Sequence, residues 1–309
     1  MKKILITTSS FDLSNFNENE NLIKEKFELQ LNPYRKKMTE DQIYGLIDEN
    51  VIAMIAGTEP LTESVLSKAK GLKIIVRCGI GMDNVDMIAA NKLGIQVLNT
   101  PDAPTRSVAE LTLAHILSIL RRISESDRMI RGGEWKALMG SLLYEQTVGV
   151  IGYGRIGKMV SKLLIAFGAK ILVYDIFTHD KTDDVKFVSK QELLKHSDII
   201  TLHIPYTTEN HHFIDEEAFS LIKTNAMIVN VSRGGLIDDN ALYKAISEKK
   251  IAGAALDCFE QEPYNGELIN CESVQFTAHM GSYAKQSRIQ QEVDSCNTLV
   301  SELKKNNII

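Results

Sequence analysis

The sequence predicts an α/β protein built from two doubly wound parallel-sheet domains. Short runs rich in Val and Ile, bounded by turn residues, recur along the 309 residues. Such runs are typical of parallel strands that are buried on both faces, and helical patterns lie between almost all of them. One long helical segment, from about Ala103 to Ile130, separates a first set of strands from a second. We therefore expect two domains.

The first set contains four predicted strands. The earliest, KILITT, follows two N-terminal residues, and its short apolar run favours a strand over a signal peptide. Thr39 and Gln42 have the spacing of a capping box, which predicts a helix N-terminus between the first two strands. The four predicted strands span residues 3–8, 53–58, 72–79 and 95–100.

The second set contains six predicted strands. Ser189 and Glu192 again have capping-box spacing, and Asp238 and Asp239 are predicted N-caps of the helix that follows them. A final helical stretch, from about Ser282 to Asn306, should pack back onto the first domain. The six predicted strands span residues 147–152, 170–175, 198–204, 226–231, 251–258 and 274–279.

These elements set the expected domain boundaries. Residues 1–100 and 283–309 should form one discontinuous domain, and residues 101–282 the other. Because the chain ends soon after its last helix, we expect no additional regulatory domain.

Composition and charge exclude several classes of function. The chain is 44% hydrophobic and 24% charged, with a net charge of −5 and no basic block, so we expect neither nucleic acid nor a membrane as a partner. No apolar segment approaches the length that spans a bilayer. The cysteines lack metal-binding spacing, so we expect free thiols in the cytoplasm and no metal site. They are Cys78, Cys258, Cys271 and Cys296.

A glycine-rich turn opens the second set. Gly152, Gly154 and Gly157 stand between a predicted strand and a predicted helix, and Asp175 ends the next strand. This is the full context of the dinucleotide-binding fingerprint of a Rossmann domain. The glycines permit a tight turn, a close approach of the backbone to a pyrophosphate, and close packing of helix on strand. Residues 176–178 (Ile-Phe-Thr) provide no arginine for a 2′-phosphate, so NAD is favoured over NADP.

Four charged or titratable residues follow other predicted strands of this domain. Arg233 follows the strand at 226–231, Asp257 and Glu262 lie at or after the end of the next, and His279 ends the last. Ligands of open α/β sheets bind outside the carboxyl ends of the strands. We therefore expect these side chains to converge on one crevice.

With these motifs in place, the chain resembles the D-isomer-specific 2-hydroxyacid dehydrogenase family, in its phosphoglycerate dehydrogenase-like group. The resemblance covers nearly the whole chain and implies a flavodoxin-like substrate domain beside the Rossmann domain. Its motifs are VRCGIGMDNVD (76–86), NTPDAPTRSVAEL (99–111), GYGRIG (152–157), VSRGGLID (231–238), AALDCFEQEP (254–263) and TAHMGS (277–282).

The resemblance implies a catalytic role for three residues. Arg233 would bind the substrate carboxylate with its planar guanidinium fork. His279 would be the general acid for reduction of a carbonyl group and the general base for the reverse reaction. Glu262 would hydrogen-bond to His279 and hold its tautomer.

It also implies two sets of binding residues. Asp257 would contact the nicotinamide carboxamide, and the backbone near Gly79 would hold the substrate carboxylate. The implied cofactor-binding residues are Gly152, Gly154, Arg155, Ile156, Gly157, Asp175, His203, Ile204, Pro205, Val231, Ser232, Asp257 and Gly281. The implied substrate-binding residues are Arg77, Gly79, Ile80, Gly81 and Arg233.

The sequence departs from the family pattern beside the histidine and in the region expected to bind the substrate. Ala278 replaces the proline that usually precedes the histidine. Glu59 lies in the region where phosphoglycerate-specific relatives often place an arginine, although Arg77 and Lys136 remain candidate partners for a distal anion. Phosphorylated and unphosphorylated substrates both stay open.

The other histidines have less specific interpretations. We interpret His115 as a core residue because it lies within a helical apolar pattern, and His203 as a residue of the cofactor groove. His211 and His212 are interpreted as solvated loop residues.

The leading hypothesis is an NAD-dependent oxidoreductase that interconverts a small 2-oxo acid and its D-2-hydroxy acid. Substrates of the 3-phosphoglycerate, glycerate/hydroxypyruvate or glyoxylate type are expected, in a homodimer formed partly through the segment Ala103–Ile130. One alternative is a formate dehydrogenase-like enzyme, disfavoured because formate oxidation needs no acid–base histidine. The other is an NAD(H)-sensing, corepressor-like interaction protein, against which the complete Arg/Glu/His set argues.

Overall fold

The computed structural model describes residues 1–177 and 183–309, which form two compact units. The first unit comprises Met1–Pro104 and Ser282–Ile309, and the second comprises Thr105–Gly281. Thr178, which was part of the argument for NAD, lies outside the described residues.

Twelve strands are described. In the first unit they are β1 (Lys3–Ile6), β2 (Glu28–Leu31), β3 (Val51–Ala56), β4 (Ile74–Arg77) and β5 (Gln96–Asn99). In the second they are β6 (Thr147–Ile151), β7 (Lys170–Tyr174), β8 (Lys186–Phe187), β9 (Ile199–Leu202), β10 (Met227–Asn230), β11 (Gly253–Leu256) and β12 (Val274–Phe276).

Eleven α-helices and four short 3₁₀ helices connect the described strands. The α-helices are α1 (Glu20–Lys26), α2 (Glu40–Leu46), α3 (Glu63–Lys68), α4 (Met87–Lys92), α5 (Pro104–Leu120), α6 (Ile123–Arg131), α7 (Arg155–Ala166), α8 (Lys190–His196), α9 (Glu216–Leu221), α10 (Asp239–Ser247) and α11 (Lys285–Lys305). The 3₁₀ helices are Leu13–Asn19, Thr208–Asn210, Gly234–Leu236 and Glu267–Asn270. None of the helices in the described ranges is long and apolar enough to cross a membrane.

The first unit is a five-stranded parallel sheet in the order β2-β1-β3-β4-β5. This is the order of flavodoxin-like folds. Every residue of β3 is buried, as its unbroken VIAMIA run predicts. On one face, Cys296, Leu299 and Leu303 of α11 pack in the same cluster as Ile4 and Ile6 of β1. The C-terminal helix is therefore part of the first unit.

The second unit is a seven-stranded parallel sheet in the order β12-β11-β10-β9-β6-β7-β8. Counted from β6, the order is 3-2-1-4-5-6-7, which is the Rossmann order extended by one strand. The strand order reverses beside β6, and apolar clusters cover both faces of the sheet. The predicted fold of two doubly wound parallel sheets is confirmed.

Several local predictions have clear outcomes. Both capping boxes form, at Thr39–Gln42 and Ser189–Glu192. The prediction that Asp239 caps a helix was wrong, because Asp238 occupies the cap position and Asp239 is the first residue of α10. The four cysteines are free, as predicted.

The long helical segment is interrupted. α5 ends at Leu120 and α6 begins at Ile123, because Arg122 adopts a left-handed backbone with φ of 53°. The sequence pattern also missed the edge strand β2, whose residues are half-buried or exposed and so show no apolar run. The two-residue strand β8 was missed for the same reason.

Candidate active site

The turn after β6 leaves no room for side chains at two of its glycines. Gly152 has φ of +94°, and a Cβ there would lie 2.7 Å from the carbonyl oxygen of His203. A Cβ on Gly157 would lie 2.0 Å from the carbonyl oxygen of Gly152. Open space surrounds the Cβ position of Gly154, with no described atom within 4 Å. The backbone of the turn is therefore accessible to a ligand.

Two charged features flank this turn. α7 begins directly after Gly154, which has no side chain to cap it, so its first N–H groups and the helix dipole can meet an anion. Arg155 is exposed there and Ile156 is half-buried. Asp175 follows β7, and its carboxylate accepts hydrogen bonds from the backbone N–H groups of Tyr153, at 2.5 Å, and Phe177, at 2.9 Å. This combination fits a pyrophosphate beside a ribose.

The segment after β9 lies against the same turn. The N–H of His203 donates to the carbonyl of Ile151 at 2.7 Å, and its Nε2 lies 3.0 Å from the Thr201 hydroxyl. Its Nδ1 is buried without a hydrogen-bond partner among the described residues. Burial lowers the pKa of His203 to about 3, so the ring is neutral at physiological pH. A polar atom left unpaired beside the turn fits the side of a dinucleotide site.

The buried residue Asn230 shapes the loop after β10. Its Nδ2 donates to the carbonyl of Arg233 at 2.8 Å, and its Oδ1 accepts from the N–H of Ser232 at 3.0 Å. The Ser232 hydroxyl donates to the carbonyl of Ile204 at 2.6 Å. The predicted cofactor residues after β9 and β10, including Pro205 and Val231, therefore lie on two connected segments. Asn230 was not among the residues predicted from sequence, and its signal there is an amide at the end of an apolar strand.

Arg233 lies at the start of the next turn and is half-buried. Its Nη1 donates to the carbonyl of Ser232 at 2.8 Å. A Cβ on the following residue, Gly234, would lie 1.8 Å from the carbonyl carbon of Phe259, so the two backbones are in direct contact. This contact places the loop of Arg233 against the segment that leads to Glu262.

Glu262 and His279 form a hydrogen-bonded pair at the carboxyl edge of the sheet. Both Glu262 carboxylate oxygens lie 2.9 Å from His279 Nδ1, and Oε1 also accepts from the N–H of Phe259 at 3.1 Å. Their side chains are 36% and 46% exposed. A carboxylate can only accept, so the proton lies on Nδ1, and Nε2 is the nitrogen available for proton exchange.

Asp257 is buried and holds the loop that carries this histidine. Its carboxylate accepts from the Thr277 hydroxyl at 2.5 Å and from the N–H groups of Met280 and Gly281, each at 2.8 Å. Its carbonyl accepts from the N–H of His279 at 2.7 Å. These bonds hold His279 in a left-handed conformation with φ of 49°, which costs about 1–3 kcal/mol for a non-glycine residue.

A partly buried chain of hydrogen bonds extends from Asp257 to α5. Gln275 Nε2 donates to His115 Nδ1 at 2.9 Å, so His115 Nε2 carries the proton and donates to the Thr277 hydroxyl at 3.1 Å. Burial lowers the pKa of His115, which favours the neutral ring that this arrangement requires. Ser124 donates to Gln275 Oε1 at 3.1 Å at the outer end. The sequence predicted the burial of His115 but not these contacts.

The predicted substrate residues at positions 77 and 79–81 lie in the first unit. Arg77 is 8% exposed, its Nε donates to Asn84 Oδ1 at 3.3 Å, and its Nη1 donates to the carbonyl of Cys78. Gly79 has φ of +141°, and a Cβ there would lie 2.9 Å from Arg77 Nη1. Ile80 and Gly81 are half-buried.

Glu59 of the first unit is turned into the protein. It is 1% exposed, and its carboxylate accepts from the Thr7 hydroxyl and from the N–H of Gly57. Burial raises the pKa of Glu59, against the opposing charge of Arg77. The carboxylate therefore has partners within its own unit.

Comparison with known proteins also indicates a dinucleotide-binding site in the second unit. Residues 113–281 match the family model described as the NAD-binding domain of D-isomer-specific 2-hydroxyacid dehydrogenases.

Curated relatives extend the match over most of the chain. A D-3-phosphoglycerate dehydrogenase of Methanocaldococcus jannaschii is 41% identical over 270 residues, covering 85% of this chain and 50% of the relative. The chain thus spans about half the length of that relative. A hydroxypyruvate reductase of Thermotoga maritima is 36% identical over 296 residues, covering 92% of this chain and 97% of the relative.

Among solved structures, D-lactate dehydrogenase of Aquifex aeolicus, complexed with NAD and lactic acid, is similar to this chain. The two structures align with a TM-score of 0.85 at 28% identity, over 99% of this chain and 96% of the other.

Proposed function

The chain belongs to the D-isomer-specific 2-hydroxyacid dehydrogenase family, and we propose that it catalyses the NAD-dependent interconversion of a small 2-oxo acid and its D-2-hydroxy acid. The observation that carries the proposal is the hydrogen-bonded pair of Glu262 and His279, which leaves Nε2 for proton exchange at the edge of a Rossmann sheet. Proton exchange at a carbonyl oxygen is the acid–base step that this reaction needs.

The glycine turn, Asp175 and the segments after β9 and β10 are the proposed cofactor site. When bound in this site, NADH would supply the hydride for reduction and NAD⁺ would accept it in oxidation. The first N–H groups of α7 would bind the pyrophosphate, and Asp175 would accept from the ribose hydroxyls. Ile176 and Phe177 provide no cation for a 2′-phosphate, which supports NAD over NADP.

Arg233 and His279 have different roles towards the substrate. The guanidinium of Arg233 binds the carboxylate and orients the carbonyl group. Nε2 of His279 donates its proton to the carbonyl oxygen as the alcohol forms, and Glu262 stabilises the charged ring through Nδ1. In the reverse direction Nε2 accepts the hydroxyl proton.

We propose an unphosphorylated substrate of the hydroxypyruvate or glyoxylate type. The guanidinium of Arg77 is almost buried and bonded to Cys78 and Asn84, which leaves it poorly placed to bind a phosphate. Glu59 adds a buried carboxyl group where phosphoglycerate-specific relatives often have an arginine. Gly79, Ile80 and Gly81 remain the proposed substrate contacts of the first unit, and Arg77 is proposed to support their loop through its hydrogen bond to the carbonyl of Cys78.

The test is a panel of 2-oxo acids, followed through the loss of NADH absorbance. Hydroxypyruvate or glyoxylate should give the highest kcat/KM, and 3-phosphohydroxypyruvate a lower value. A highest kcat/KM with the phosphorylated acid would reverse the substrate proposal, while no turnover with any 2-oxo acid would reject the reaction.

The same panel separates the two alternative functions. A formate dehydrogenase-like enzyme would oxidise formate with NAD⁺ and ignore the 2-oxo acids. A corepressor-like NAD(H) sensor would bind NADH and change its assembly without turnover.

We further propose a cytoplasmic homodimer. The end of the expected interface segment and the residues after it expose several large apolar side chains, and this supports an interface there. They include Ile123, Ile130, Trp135, Met139, Leu142 and Tyr144, exposed by 51–90%. Light scattering should give twice the 34.5 kDa chain mass, and a monomer at micromolar concentration would refute the dimer.

A further inference from the structure

Three side chains with metal-binding groups converge on the surface of the second unit. His211 and His212 precede α9, and Glu260 lies on the segment after β11. Their ligand atoms all lie within 4.8 Å of one another. None of the three has a role in the proposed cofactor site or acid–base pair.

The distances suit a single ion. His212 Nε2 lies 3.3 Å from Glu260 Oε2, and His211 Nε2 lies 3.9 Å from Oε1. Ligands at about 2.0–2.2 Å from a tetrahedral Zn²⁺ are separated from each other by about 3.3–3.6 Å. The His212–Glu260 pair already has this separation. The rings of His211 and His212 are stacked, with centroids 3.7 Å apart and an interplanar angle of 27°, so the ring of His211 must turn out of this stack for both Nε2 atoms to bind the same ion.

The second ring nitrogen of each histidine faces an oxygen atom. His211 Nδ1 lies 3.1 Å from the Tyr206 hydroxyl, and His212 Nδ1 lies 3.7 Å from Asp238 Oδ2. Metal-binding histidines almost always direct the nitrogen that does not bind the metal to such an acceptor, which fixes the tautomer and leaves the other nitrogen free to bind. Both rings therefore present Nε2 to Glu260.

The backbone holds the two ligand-bearing segments together. The N–H of His212 donates to the carbonyl of Gly235 at 2.8 Å. A Cβ on the preceding residue, Gly234, would lie 2.2 Å from the nitrogen of Glu260. The turn at 234–236 thus contacts both segments, so the two segments are held together before any ion binds.

We propose that His211, His212 and Glu260 bind one divalent transition-metal ion, with Zn²⁺ as the best match. Two imidazoles and a carboxylate form a common protein ligand set for this ion, and water can complete the coordination. The charges of Glu260 and Asp238 offset the charge of the ion. The three side chains are 31–47% exposed, so the ion has access from solvent. The site is independent of the proposed redox function, and it revises the expectation of no metal from sequence.

The test is calorimetric titration of the whole chain with ZnCl₂. We expect one ion per chain. His212→Ala and Glu260→Gln should each weaken binding by more than tenfold, and Tyr206→Phe, which removes an outer partner, should weaken it by about tenfold. His196→Ala, at an exposed histidine at the end of α8, is the matched control and should bind as the wild type does. His279→Asn should also bind normally, because it alters only the other histidine–carboxylate pair.

Co²⁺ as a second probe identifies the ligands. Its absorption spectrum should lack the charge-transfer band of a thiolate, since the three ligands are imidazole and carboxylate. Glu260→Gln preserves the shape of the side chain, so it tests the site even if His212→Ala fails to fold. Absence of Zn²⁺ binding, binding that Glu260→Gln leaves unchanged, or a thiolate band would each overturn the proposal.

Discussion

Two hydrogen-bonded groups of the second unit contrast in environment. His279 and Glu262 are exposed and form a hydrogen-bonded pair, while buried His115 and Asp257 are joined through the partly buried Thr277. The exposed histidine has a carboxylate beside it and a ring nitrogen available for a substrate. The buried histidine has a lowered pKa, and both of its ring nitrogens are engaged. The contrast separates groups that we expect to exchange protons from groups that set the shape of the loop.

Removing the exposed imidazole ring of His279 should have the largest effect on activity. We expect His279→Ala to lower kcat by about 10²–10⁴-fold, the usual contribution of a general acid–base group. NADH affinity, measured by fluorescence titration, should change little. His196→Ala is the control for loss of an exposed histidine. A His279→Ala enzyme with more than a tenth of the wild-type kcat would show that His279 is not the general acid–base group.

Removal of Arg233, the proposed anchor of the substrate carboxylate, should lower activity nearly as much. Arg233→Ala removes the cation that we expect to meet the carboxylate, so kcat/KM should fall by at least 10²-fold, with NADH affinity retained. Arg233→Lys should restore only part of the loss, because an ammonium lacks the planar fork. Full activity in Arg233→Ala would show that the carboxylate binds elsewhere.

Asp257→Asn tests the hydrogen bonds that the buried Asp257 carboxylate accepts. The amide cannot accept from both N–H groups and the Thr277 hydroxyl, and hydrogen bonds to charged groups contribute about 1.5–3 kcal/mol each. We expect the free energy of unfolding in urea to fall by at least that amount. If Asp257 only shapes the loop, kcat should fall while NADH affinity stays constant. A weakened NADH affinity would instead support its expected contact with the nicotinamide carboxamide.

Thr277→Val should have a smaller effect, since it keeps the side-chain shape and removes one hydroxyl. We expect a loss of about 1–3 kcal/mol in unfolding free energy because partners on both sides lose a hydrogen bond. A double-mutant cycle with His115→Phe should show coupling of about 0.5–3 kcal/mol. Additive effects of the two substitutions would show that the buried chain does not act as one unit.

The buried histidines should also make the fold sensitive to acid. His203 has a pKa of about 3 in the folded chain against an ordinary value of 6.5, so the unfolded chain binds more protons between these values. The free energy of unfolding is therefore not reduced by protonation of His203 above pH 6.5, and it falls as the pH drops towards 3. In His203→Asn the slope of unfolding free energy against pH should be shallower over this range. An unchanged slope would show that other groups dominate.

The sequence was informative where a pattern is local. The apolar runs predicted the central strands, and the capping boxes predicted two helix starts correctly. The glycine fingerprint predicted the turn after β6. Edge strands were missed because a half-exposed strand needs no apolar run, as the partly exposed residues of β2 show. Arg122 gave no signal for the break between α5 and α6, because its left-handed backbone is not a preference of arginine.

The sequence by itself determined the two parallel sheets, the glycine turn and the identity of the residues at the strand ends, because burial and backbone sterics act over a few neighbouring residues. The tertiary structure decided the partners. His115 and Thr277 are 162 residues apart, and His212 and Glu260 are 48 apart, yet each pair lies within 3.3 Å. Those contacts depend on which strands lie side by side and where their loops meet. That is why His115, which has the pattern of a core residue, supports the loop of His279. It is also why two loop histidines form a candidate metal site.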